Sequence, residues 1–197
     1  MKLVYNHDKM NEKELEEFFG HIEGKKEGIG MMVHPLFYSR KKEYPEFQKK
    51  IEQILKNRKF PTIALVGPNK MEEVQGWLEK LQKEEKITKP IMLMKTKHSE
   101  DPTPKIGFEK LSKILKGKVK NVYLFGETGI KESKEEVLSK MHRPDYQHIH
   151  IKNQLKEEKK TILTGGCIAG TMKGLMETGK NDFKVKYLPK KVYERRM

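Results

Sequence analysis

Short oily segments alternate with one-sided helices along this chain, and that alternation limits the folds open to it more than any other feature. Apolar runs fall at Ile29–Val33, Thr62–Val66, 91–94, 122–125 and 161–164, each with a glycine or proline close by. Between them the apolar residues recur at helical spacing: Leu15, Phe18, Phe19 and Ile22; Phe47, Ile51, Ile54 and Leu55 after Pro45; Val74, Trp77, Leu78 and Leu81. The same spacing returns in Phe108, Leu111, Ile114 and Leu115, in Val137, Leu138 and Met141, and in Ile168, Met172, Leu175 and Met176. Asn11 with Glu14, and Ser133 with Glu136, have the spacing of helix capping boxes. Runs of four or five apolar residues bounded by turn formers fit strands covered on both faces. Residues 147–151 alternate polar with apolar and read as a half-exposed strand; residues 183–187 alternate apolar with lysine, an edge strand guarded by charge.

Repeated strand-then-helix units predict an α/β fold of three layers: a mostly parallel central sheet, Rossmann-like, with helices on both faces. The pattern leaves room for an antiparallel edge strand. No linker-like or low-complexity stretch divides the chain, so residues 1–197 are expected to form a single domain, with 1–28 as an N-terminal helical extension packed on it.

Composition narrows the setting. Hydrophobic residues make up 35% and charged residues 36%, a lysine- and glutamate-rich balance that in hyperthermophiles accompanies surface ion pairs. The formal net charge of +14 is met by two readings. One is a solubilising lysine surface; the other is an electrostatic footprint for nucleic acid or another polyanion. Neither of the densest basic stretches, 49–59 and 184–196, is expected to be the lysine-and-aromatic platform of a single-strand binder. The lone cysteine, Cys167, can form no intrachain disulfide, and it makes no zinc-finger spacing with the seven histidines. The first eight residues lack the apolar core of a signal peptide, and no run nears the ~18 apolar residues of a membrane helix. A cytoplasmic protein without membrane contact is expected.

In parallel sheets ligands bind beyond the carboxyl ends of the strands, near a topological switch point. The residues there are His34, Tyr38 and Ser39; Asn69 and Lys70; Lys95, Lys97 and His98; Gly126, Glu127 and Thr128; and Gly165, Gly166 and Cys167. The last group is the sharpest. Two glycines turn the backbone closely and the next residue opens a helix, whose positive end favours a thiolate and could hold an anion on the N–H groups of Gly166 to Ile168. The plainer reading of Cys167 is a small residue packing a strand–helix junction. Gly126 to Ser133 lacks the ending of a P-loop, and Gly165 to Gly170 lacks the dinucleotide pattern, so no nucleotide cofactor is expected. His148 and His150 share a strand face and, with Cys167 or His142, have zinc-ligand chemistry; the exposed face of a half-buried strand is the plainer reading, and no metal is assigned.

The layout of residues 29–188 resembles the isochorismatase-like cysteine hydrolases, on Lys95 after the third apolar strand and Cys167 opening a helix after Gly165-Gly166. That family is a single α/β domain with an Asp after the first strand, a Lys after the third and a Cys near the start of a later helix. His34 stands here where the family has its Asp, and no cysteine follows the strand 122–125. The resemblance implies a small-molecule hydrolase, with an intact or a remodelled site. Cys167 would attack an amide or related acyl carbon, Lys95 would assist electrostatically, and His34 would act as acid or base. The competing expectation is a non-catalytic Rossmann-like module whose basic face binds nucleic acid or another anion. Homo-oligomers through paired sheet edges are a further expectation, opposed by the lysines of the last strand.

Overall fold

The structure, a computed structural model, describes residues 2–22, 28–36, 44–99, 101–126 and 166–187. Strands β1 (Val4–Asn6), β2 (Ile29–Val33), β3 (Thr62–Val66), β4 (Ile91–Lys95), β5 (Asn121–Gly126) and β6 (Lys184–Tyr187) form one sheet in the order β1-β4-β3-β2-β5-β6. Every pairing is parallel, including that of β6 with β5, so the antiparallel option for the edge is not the one taken. The helices are α1 (Glu12–Gly20), α2 (Tyr44–Asn57), α3 (Met71–Lys83), α4 (Phe108–Leu115) and α5 (Gly166–Gly179). The helix expected after Ser133 and the strands expected at 147–151 and 161–164 lie outside the described residues.

Both faces of the sheet are packed, which is why its central strands are continuously apolar. β2 and β3 are buried at all five positions each. On one face Met32, Ala64, Val66, Leu93 and Phe125 meet Ile51, Ile54 and Leu55 of α2 and Val74, Leu78 and Leu81 of α3. On the other, Met31, Val33, Leu65, Met94 and Leu124 meet Phe18 of α1, Leu111 and Leu115 of α4 and Leu175 of α5. The three layers expected from the alternation are therefore present. Among the described residues no helix is long and apolar enough to cross a membrane.

Local chemistry sets the element ends. At α1 the Asn11 side chain accepts from the Glu14 N–H at 2.9 Å, while Glu14 Oε2 accepts from the Asn11 N–H at 3.3 Å, which completes the reciprocal box. Val4–Asn6 was not expected as a strand. It pairs in register with Ile91, Met92 and Leu93, so the N-terminal segment supplies an edge strand as well as a helix.

Arg58 closes α2 in an unusual way. It is buried, and its guanidinium donates to the carbonyls of Leu55 (2.7 Å), Phe60 (3.1 Å), Lys89 (2.5 Å) and Pro90 (3.4 Å). Burial pushes its pKa down to about 9, so the group is still charged at neutral pH. It thereby ties the helix end to the turns that start β3 and β4, meeting a helix-terminal carbonyl that would otherwise be orphaned.

Helix α5 lies close against α4 because small residues line the contact. A Cβ on Gly174 would come within 2.3 Å of the Phe108 ring, and one turn on the hydroxyls of Thr178 and Ser112 share a 2.7 Å hydrogen bond. Two outcomes follow. Arg58→Met should cost about 3 kcal/mol in denaturant unfolding, because four carbonyls, two of them in buried bonds, lose the guanidinium donor. Gly174→Ala should cost about 2 kcal/mol, since ring and helix must move apart.

Candidate functional site

The strand order places the topological switch between β2 and β5. From β2 the chain moves one way, to β3 and β4, and β5 and β6 build the other way. The crevice beyond the carboxyl ends of these two strands is the default ligand position in such a sheet.

His34 sits there. Its N–H continues the ladder by donating to Leu65 O at 2.9 Å, and its side chain is only 3% exposed. The backbone leaves the sheet through an irregular turn: His34 has φ +48° and Leu36 has φ +64°. Left-handed backbone is uncommon for histidine and rarer still for leucine, and strain of this kind tends to gather where a site dictates geometry. Burial lowers the His34 pKa, opposed by the nearby Asp101 backbone and the Asp101 charge. The imidazole is thus held neutral, the form able to accept a proton. Beside it, β5 ends on Gly126, where a Cβ would fall 2.4 Å from the Val33 carbonyl. Only glycine allows the two central strands to end this close together.

A folded loop crosses the crevice from the β4 side. Thr96 bridges Pro104, the Lys97 N–H donates to Thr103 O at 2.8 Å, and the Lys105 N–H donates to Lys95 O at 2.7 Å. Thr96 is buried, and its hydroxyl donates to His98 O at 2.7 Å. Asp101 accepts from the Thr103 N–H at 2.8 Å. Partial burial works to raise the Asp101 pKa, but hydrogen bonds from Thr103 and the neighbouring His98 and Lys97 bring it below the ordinary carboxylate value. The loop also reaches sideways: Ser99 Oγ donates to Asn69 Oδ1 at 2.7 Å, and a Cβ on Gly170 of α5 would lie 3.3 Å from Pro102 Cγ.

Cys167 lies in the first turn of α5, half-buried against the cluster that packs α1, α4 and α5 on the sheet. Its carbonyl accepts from Thr171 Oγ1 at 2.8 Å. One loop therefore sets Asp101 near His34 and Pro102 beside the first turns of the cysteine helix. Lys95 is placed differently. Its ammonium is 3.5 Å from Asp8 Oδ2, and Asp8 also lies 3.7 Å from His7 Nδ1. Asp8 follows β1, which flanks β4 on the side away from β2, so Lys95 leans toward the sheet edge. Because β1 precedes it, Lys95 follows the fourth strand of the chain rather than the third.

Gly166 begins α5, and Ile168 follows within it. Glu127, Thr128, Gly165, Tyr38, Ser39, His142, His148 and His150 lie outside the described residues. Asp101 and Asp8 were not singled out in the sequence. An Asp two residues before a Thr, with proline at 102, is an Asx-turn pattern and was the available signal for Asp101. Comparison with protein-family models, curated proteins and solved structures finds no match to this chain.

The lowered His34 pKa has a linkage consequence. Unfolded, the imidazole titrates near its ordinary value and binds more protons than the folded state in the window below it. Stability should be fully present above about pH 6.5 and fall as the pH drops from there toward the folded-state pKa. NMR titration should place His34 below the ordinary imidazole value, and His34→Asn, which tolerates the left-handed backbone, should flatten that part of the stability profile.

Proposed function

We propose that this chain is a small-molecule hydrolase whose substrate lies over the carboxyl ends of β2 and β5, with Cys167 as nucleophile. The observation that supports the reading is the loop that sets Asp101 near His34 and Pro102 beside Gly170 of the cysteine helix. In this reading the neutral imidazole serves as base to a thiol at the positive end of a helix, the pairing that activates a nucleophilic cysteine.

In this mechanism the thiolate sulfur bonds to the acyl carbon of an amide or related substrate. Backbone N–H groups from Gly166 to Ile168 stabilise the oxyanion. The carbon–nitrogen bond then breaks, and the amine leaves with a proton delivered by the imidazolium of His34. Water, deprotonated by the now neutral His34, attacks the thioester; the acid is released and the thiol regains its proton. Lys95, held by Asp8 toward the sheet edge, stands apart from this pair. The isochorismatase-like resemblance is in line with this chemistry, with His34 in place of an Asp.

Two measurements test it. Cys167 should be alkylated by iodoacetamide at pH 6.5 much faster than a free thiol, and at a rate that His34→Asn reduces. Across a panel of small amides, the wild-type protein should turn over at least one, and Cys167→Ala should lower that rate about a thousandfold or more. Full turnover by Cys167→Ala, or a thiol inert to alkylation in the folded protein, would remove the mechanism.

A further inference from the structure

At the opposite end of the sheet from the crevice, the fold gathers charge that is scattered in the sequence. The turn leading into β5 carries Lys116, Lys118 and Lys120, and the turn and strand after α5 carry Lys180, Lys184 and Lys186. All six are exposed. The same two stretches hold a single acid, Asp182, which pairs with Lys116 at 3.1 Å. Among the described residues the other five lysines have no carboxylate partner, whereas elsewhere many surface lysines do, as in Lys80–Glu84, Glu109–Lys113 and Lys173–Glu177.

Parallel pairing brings the two stretches together. The Lys184 N–H donates to Lys120 O at 2.8 Å, and the register sets Asn121 opposite Lys184 and Tyr123 opposite Lys186. It also sets an aromatic platform beside them. Tyr123 and Phe60 are half-buried and stack at 5.2 Å with their planes 17° apart. The Lys186 ammonium lies 5.9 Å from the Tyr123 ring centre. Exposed lysines beside stacked, part-exposed rings are the combination that holds phosphates and bases of an unpaired strand together.

Lys180 extends the ridge. It follows the end of α5 with φ +45° and places a cation at the carboxyl end of that helix.

We infer that the lysine ridge at the amino ends of β5 and β6, with Tyr123 and Phe60, binds single-stranded nucleic acid without strong sequence preference. The surface is separate from the crevice and does not depend on the hydrolase reading.

The test is fluorescence anisotropy of the full chain with labelled U20 RNA and dT20 DNA, with a duplex of equal length and poly-glutamate as comparison ligands. Binding of the single strands should be clear at 50 mM salt and weaken steeply by 200 mM, with a log–log slope that loses about 0.7 for each phosphate contact removed. Lys184→Gln with Lys186→Gln should lower that slope by about 1.4. Tyr123→Leu, with folding checked by thermal melting, should weaken binding while leaving the slope in place. Lys180→Gly should raise the melting temperature yet reduce affinity, a split that a purely structural lysine would not produce. The inference is overturned by absence of binding at 50 mM salt, by wild-type affinity in the double lysine variant, or by tighter binding of the duplex or of poly-glutamate.

Discussion

Two-sided burial of the central strands is the constraint on which the rest of this protein depends. A parallel strand cannot turn back on its neighbour, so each needs a crossover, and the crossovers bring helices to both faces. Once α2 and α3 occupy one face and α1, α4 and α5 the other, polar side chains are pushed to the strand ends. The crevice at one end and the lysine ridge at the other are both products of that exclusion. His34 marks the boundary: its N–H still joins the ladder, but its side chain is ionisable and its backbone turns left-handed.

Much of this architecture is legible in the residues because two-sided burial writes itself as unbroken apolar runs. Ile29–Val33 and Thr62–Val66 coincide with β2 and β3, and Asn11 with Glu14 forms the cap its spacing implies. The short edge strand is not legible: Val4–Asn6 offers three residues, too few for a pattern, and its partner β4 lies more than eighty residues away. Arg58 is hidden for another reason. In a lysine-rich chain a lone arginine reads as surface, and only the fold shows the carbonyls that converge on it.

The candidate site is legible by position and less so by partnership. Strand-end logic reaches His34, Lys95 and Cys167, since each stands just past a strand or at the start of a helix. It does not reach the loop beside them, because residues 96–99 and 101–104 are placed by groups distant in the chain: Asn69 bonded to Ser99, His34 near Asp101, Gly170 beside Pro102. Lys95 shows the limit most clearly. Its register was readable, but the pull of Asp8 depends on a strand that the pattern did not reveal. Gly165 and Gly166 are readable in the sequence as turn formers, whereas Gly170 and Gly174 of α5 act as recesses for Pro102 and Phe108, a role set by the neighbouring chain.

The two margins of the sheet are blunted by different means. At one side stands β1, only three residues long; at the other stands β6, whose exposed positions Lys184 and Lys186 carry like charge. A short margin gives an incoming strand little backbone to zip onto, and a charged one repels a second copy of itself. Extension of the six-stranded layer by a neighbouring molecule is thus discouraged at both ends, and a chain built around so much β-structure keeps its sheet finite.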